Sequence, residues 1–194
     1  MSNSEGTLTG KTDDGVTWTH TGGILNGLRH GKGKCTYADG RVYEGDFVNG
    51  KCEGKGKFTW ADGDVYEGGW VDGKCHGKGK RTFDGNVYEG DWVDGRCHGK
   101  GKMTFVDGGV YEGDFIKNEN HGKGKMAYPN GCVYEGDWVN GKWHGKGKWT
   151  TPDAGFYEGD YVDNKKNGKG KMTLPDGYVY EGDWVDDNFQ KKGK

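Results

Sequence analysis

The chain has 194 residues, of which 41 are glycine, only 30% are hydrophobic and another 30% are charged. So polar a composition ordinarily marks disorder; aromatic residues nevertheless reach 13% and the glycines recur on a fixed period, so the body of the chain is expected to fold. A net charge of −2 gives no global attraction to nucleic acid, and no apolar run approaches the ~20 residues of a membrane-spanning helix.

Residues 1–19 read as a tail or capping hairpin. The opening MSNSEGTLTGKTDDG lacks the basic-then-apolar profile of a secretory signal and the second-position glycine of a myristoylation site. With five cysteines, an odd number, the expectation is a soluble cytoplasmic protein in a reducing compartment. A degenerate unit begins at His20, where HTGGILNGLRHGKGK aligns with YEGDFVNGKCEGKGK from Tyr43. Tyr-Glu-Gly then opens units at Tyr43, Tyr66, Tyr88, Tyr111, Tyr134, Tyr157 and Tyr180, spaced 23, 22, 23, 23, 23 and 23 residues apart. Repetition of this length implies an array in which each unit packs on its neighbours. The repeats are read over 20–187, leaving 188–194 as a tail or truncated unit.

Each unit holds two strand-like stretches and two turns. The first strand is VYEGDWV, as at 87–93; Asn49-Gly50, Asp72-Gly73, Asp94-Gly95 and Asn140-Gly141 follow it in their units. The second is GKGKMTF, as at 99–105, closed by Ala-Asp-Gly, Pro-Asn-Gly or Pro-Asp-Gly. Glycine supplies positive φ and proline presets the first turn residue, so both are hairpin signals. The 22-residue unit drops one turn residue and leaves Asp84-Gly85 as a two-residue loop. No apolar spacing of helical period occurs. The expected fold is all-β, an elongated, twisted, single-layer antiparallel meander with two strands per unit.

Strand alternation separates two faces. Glu89 and Asp91 share one with Lys100, Lys102 and Thr104, so a neutralised ladder of Glu-x-Asp against Lys-x-Lys is expected there. Tyr88, Gly90 and Trp92 share the other with Gly99, Gly101, Met103 and Phe105. Its aromatic residues form three columns. Tyr43, Tyr66, Tyr88, Tyr111, Tyr134, Tyr157 and Tyr180 make the first; Phe47, Trp70, Trp92, Phe115, Trp138, Tyr161 and Trp184 make the second. A third, Tyr37, Trp60, Phe83, Phe105 and Tyr128, fades to Thr151 and Leu174. The interspersed glycines let rings lie flat on the backbone. With no second layer to cover it, this face is expected to leave an aromatic groove that binds a partner.

Chemistry finds little support. Serine occurs only as Ser2 and Ser4, so the repeats hold no serine triad. Cys75-His76 and Cys97-His98 are adjacent strand residues whose side chains diverge. His30, His76, His98, His121 and His144 form one column and Cys52, Cys75 and Cys97 the next. Equivalent residues two strands apart lie ~10 Å from each other, too far for a disulfide and awkward for a shared Zn²⁺. Each His-Gly instead reads as shaping the start of a second strand. Lys-Gly-Lys, with no helix to follow it, is not a phosphate loop. Neither a cofactor nor a metal bound within one chain is expected, a metal shared by these columns across a dimer contact being the alternative.

The unit YEGDW-V-DG-x-x-HGKGKxTFxDGxV resembles the MORN repeat (membrane occupation and recognition nexus) over about residues 20–187. The resemblance implies an antiparallel repeat sheet that serves as a non-catalytic scaffold, dimerises, and takes a partner's helix along the aromatic groove. It also implies cytoskeletal or membrane association through phospholipids, and in other members an attached enzyme that the repeats target. The sequence itself argues against lipid, because acidic and basic residues alternate and the one basic cluster is Gln190-Lys191-Lys192-Gly193-Lys194. Several positions depart from the pattern. Glu53 replaces His, Gly69 replaces the acidic residue, and Lys117-Asn118 and Asp163-Asn164 lack the first-turn glycine, so those two corners are expected to differ in shape.

Overall fold

The structure is a computed structural model that describes residues 4–190; the basic cluster at 191–194 lies outside them. None of the described residues is helical. The chain divides into two compact units, residues 1–96 and 97–194.

In the first unit the strands are β1 (Ser4–Lys11), β2 (Thr17–Leu25), β3 (Leu28–Tyr37), β4 (Val42–Val48), β5 (Lys51–Thr59), β6 (Val65–Val71), β7 (Lys74–Phe83) and β8 (Asn86–Val93). Each pairs antiparallel with the next. The second unit repeats the pattern with β9 (Arg96–Thr104), β10 (Val110–Ile116), β11 (Glu119–Ala127), β12 (Val133–Val139), β13 (Lys142–Thr151), β14 (Gly155–Val162), β15 (Lys165–Thr173), β16 (Val179–Val185) and β17 (Asn188–Gln190). It too is a meander of consecutive antiparallel pairs.

Register follows the alternation of residue types. Between β9 and β10, Tyr111 faces Met103, Glu112 faces Lys102, Gly113 faces Gly101 and Asp114 faces Lys100. Within the hairpin β10–β11 the register jumps after Gly113, so that Asp114 faces His121 while Gly122 and Lys123 bulge out. The same shift recurs at Gly45/Asp46 and Gly136/Asp137. The bulge needs a left-handed residue, and Gly122 of His-Gly provides it at φ 61°. The carboxylate then closes the bulge: Asp114 Oδ2 accepts from the Lys123 N–H at 3.1 Å while Oδ1 pairs with Lys100 Nζ at 2.6 Å. Asp46, Asp137 and Asp160 do the same. At Asp46 the hydrogen bond from Lys32, with the Lys55 N–H behind it, holds the carboxyl below its usual range. At Gly69 there is no carboxylate to close the bulge, and the His76 carbonyl oxygen occupies the space a Cβ would need.

The first turns correct one expectation. Lys117-Asn118 and Asp163-Asn164 take the same two-residue left-handed form as Asn49-Gly50, with φ of 51° and 76°, 50° and 71°, and 49° and 82°. Asparagine tolerates this region better than other residues with a Cβ, and here its side chain also gains a bond. In the glycine turns the glycine N–H reaches back one unit to a backbone carbonyl, as from Gly50 to the Arg29 carbonyl. In the asparagine turns the bond is reciprocated: Asn118 N–H donates to the Cys97 carbonyl at 3.0 Å, and Cys97 N–H donates to Asn118 Oδ1 at 2.8 Å. Asn164 with Trp143 and Asp187 with Lys166 repeat the exchange.

Candidate functional site

The aromatic face is built on pairs of glycines. The Tyr43 ring lies over Gly45 and Gly56, which face each other across β4 and β5. Its hydroxyl donates to the Asp46 carbonyl, three residues on, at 3.0 Å. Tyr66, Tyr88, Tyr111, Tyr134 and Tyr157 make the equivalent bond. The tryptophans complete the unit: the Trp70 indole N–H reaches the carbonyl of Gly56 at 3.0 Å, and Trp92, Trp138 and Trp184 reach Gly79, Gly124 and Gly170. Tyr43, Tyr66, Tyr111, Tyr134 and Tyr157 are met edge-on both by the ring of their own strand and by one from the following repeat, as Tyr43 is by Phe47 at 4.9 Å and Trp70 at 5.2 Å. Edge-to-face pairs of this kind stabilise by ~0.5–1.5 kcal/mol beyond area burial.

This zipper corrects the expected groove. The first column from Tyr43 to Tyr157 is fully buried, and no member of the second, from Phe47 to Trp184, keeps more than 7% of its surface. These residues form the core, because interlocked rings shield one another without a second layer. Burial also lifts their phenols, Tyr157 to about 12 and Tyr43 further. Of the proposed groove residues, Trp60, Phe83, Phe105, Tyr128 and Tyr180 remain half-buried.

In the first unit a half-buried patch gathers Tyr37, Phe58, Trp60, Arg81 and Phe83. Phe58 lies 4.7 Å from Trp60 and 6.4 Å from Tyr37, and the Arg81 guanidinium lies 4.5 Å above Trp60 and 5.3 Å from Phe83. In the second unit Tyr128 meets Trp149 at 5.5 Å and Trp143 at 6.4 Å, and Trp143 stacks flat on Tyr134 at 4.3 Å. Phe58, Arg81, Trp143 and Trp149 were not singled out from sequence, although a signal existed. Phe58, Arg81 and Trp149 follow Gly-Lys-Gly-Lys just as Met103 does, which places them on the aromatic face.

The reactive side chains are arranged otherwise. Burial pushes the thiols up, Cys52 to about 12 and Cys75 to about 11, so both stay protonated at neutral pH. Among the described residues no three His, Cys, Asp or Glu side chains converge as a metal site would require, and the cysteines are free thiols. His20, in the tyrosine position of the degenerate unit, is buried and joins its Nε2 to the Gly23 carbonyl at 3.2 Å, the bond a tyrosine hydroxyl makes elsewhere.

A family model described as MORN repeat matches residues 20–40, 43–65, 66–86, 88–110, 111–133, 134–155, 157–177 and 180–190. A search of curated proteins finds no match. Among solved structures the chain is similar to the SAS-4 (dCPAP) TCP domain of Drosophila melanogaster, solved in complex with a proline-rich motif of Ana2 (dSTIL). The identity is 12% and the TM-score 0.48, over 91% of this chain and 88% of that one. A streptogramin B lyase structure matches at 12% identity and TM-score 0.19, over 90% of this chain and 67% of the other.

Proposed function

Because the chain belongs to the MORN-repeat family, we propose that it is a non-catalytic scaffold that binds a segment of a partner protein, an amphipathic helix, across its half-buried aromatic patches. One observation carries this reading. The Tyr–Gly–Trp zipper is a finished core, yet Trp60 with Phe83, and Tyr128 with Trp149, stay half-exposed beside it. Clustered rings that the core does not need, rimmed by polar residues, have the make-up of binding hot spots. The opposite face argues against a lipid surface, since its aspartates and lysines pair with each other. Self-association belongs to the same proposal, with the patches of two copies as one route to it.

The test replaces Trp60 and Tyr128 with Ser and leaves the zipper intact. Proteins captured from a lysate by the wild type and by the double variant are quantified, after thermal unfolding has shown that both are folded. The expected outcome is loss of a defined set of interactors. Retention of all of them by the folded variant rules the patches out.

A further inference from the structure

The chain has four arginines, at 29, 41, 81 and 96, and the fold employs them unequally. Arg29 donates to the Gly50 carbonyl at 2.5 Å and to Cys35 Sγ at 3.3 Å. Arg41 pairs with Asp39 at 2.7 Å. Arg96 stands at the start of β9, next to a turn, where it is exposed. Arg81 lies on the aromatic face, across the strands from Tyr66 and Tyr88. Its guanidinium rests on Trp60 and Phe83, its Nε is buried without a hydrogen-bond partner, and no carboxylate of the described residues pairs with it. The residue as a whole is half-exposed. The same repeat position holds Phe58, Met103, Met126, Trp149 and Met172, so the fold is satisfied there by an apolar side chain.

A cation at that place does nothing for the zipper that methionine would not do, and it costs the desolvation of one nitrogen. It does fix a planar fork of donors against two rings, with the Nε side buried and the rest of the half-exposed residue within reach of a partner. We infer that the aromatic patch of the first unit recognises an acidic side chain: the partner segment sets apolar residues on Trp60 and Phe83 and pairs an aspartate or glutamate with Arg81. This rests on the binding reading above and gives the partner its chemistry. The carboxylate meets the outer nitrogens end-on, and stacking on Trp60 holds the guanidinium plane in place for it. Charge-assisted bonds of this kind are about twice as strong as neutral ones.

The experiment selects short random peptides, displayed on phage, against the whole protein, and repeats the selection against Arg81→Met. Methionine is what three other units carry, so this variant keeps the packing. Peptides selected by the wild type are expected to share an Asp or Glu among apolar residues. Changing that residue to Asn or Gln should weaken binding to the wild type about tenfold or more and leave binding to Arg81→Met unchanged. A consensus without an acidic residue, or an equal loss on both proteins, overturns the assignment while the binding reading survives, provided Trp60→Ser still abolishes capture. Peptides indifferent to both Trp60 and Arg81 overturn both readings. Binding of phosphatidylserine vesicles that Arg81→Met abolishes, without any peptide preference, overturns the assignment in favour of a lipid headgroup.

Discussion

Gly56→Ala tests whether the tyrosine rings rest on the glycine pairs. A methyl group at Gly56 would fall 2.5 Å from Tyr43 Cζ and 2.7 Å from Cε2, where ordinary carbon contacts need ~3.5–4.0 Å. The ring cannot retreat freely, because Phe47 and Trp70 close on it edge-on at 4.9 and 5.2 Å. Overpacking of this sort costs ~1–3 kcal/mol. If the ring tilts, the bond from its hydroxyl to the Asp46 carbonyl is lost for a further ~0.5–1.5 kcal/mol. The expected loss is thus about 2–4 kcal/mol, and it is local, since repeats communicate only through their neighbours. Hydrogen exchange read by mass spectrometry should show amides of β4 and β5 losing protection while those of β1 keep theirs. Gly73→Ala is the control. Its Cβ would meet nothing within 4 Å, and at φ 77° it should lose only the ~1–2 kcal/mol of a left-handed residue with a side chain. Unchanged protection of β4 and β5 in Gly56→Ala would refute the ring-on-glycine account of the core.

Two further predictions concern single positions. Burial, with the nearby Arg29 charge adding to it and the Gly23 carbonyl and Glu5 opposing it, holds His20 below its usual pKa of 6.5, so it folds as the neutral ring. Its contribution is complete above pH 6.5 and is lost as pH falls through the lowered folded value, since the unfolded chain then binds the proton more readily. Thermal unfolding from pH 7 down to 5 should therefore show a steeper fall for the wild type than for His20→Tyr, whose hydroxyl can make the same bond to Gly23; parallel curves would discount His20. At the asparagine turn, Asn118→Ala keeps a left-handed side chain and loses the bond to the Cys97 N–H, so chemical denaturation should show it destabilised by about 1–2 kcal/mol. Asn118→Gly loses the bond but gains the permissive backbone and should fall within about 1 kcal/mol of the wild type. Equal losses in the two variants would mean that backbone strain plays no part.

The fold was legible because its period is carried by residues that act on the backbone. Asp-Gly and Asn-Gly fix left-handed turns, and alternation around them fixes the register. What escaped was the bulge: nothing in a two-residue period says that Gly122 and Lys123 drop out of the ladder, although Asp114 and Gly122 are the pair that requires it. At Asn118 and Asn164 the absence of a glycine suggests a change of shape that does not occur. A side chain that both tolerates positive φ and reaches the neighbouring strand gives the same shape by another route. The burial of the first two ring columns is hidden from the sequence for a related reason. Strand alternation tells which face a ring lies on, but only contact between rings tells whether it remains exposed. Tyr88 and Trp92 meet at 5.1 Å and seal each other, and no one-dimensional pattern contains that distance.

This division has a consequence for where specificity can reside. Residues that recur through the array are already committed: the tyrosine to its glycines, the tryptophan, where present, to a carbonyl, the aspartate, where present, to the bulge, and the lysines to the aspartates. Positions that vary widely in residue type are those where the array demands least, and those of them that stay half-exposed are free to face a partner. The slot after Gly-Lys-Gly-Lys is of this kind, holding Cys35, Phe58, Arg81, Met103, Met126, Trp149 and Met172 in turn. So is the slot two residues past the first turn, with Cys52, Cys75, Cys97, Asn120, Trp143 and Lys166. At the second of these, Lys166 lies 5.0 Å over both Tyr157 and Trp184, and burial lowers the pKa of its amine. Within each unit these two rows border the half-buried rings, so the array supplies the surface and its irregularities write the recognition on it.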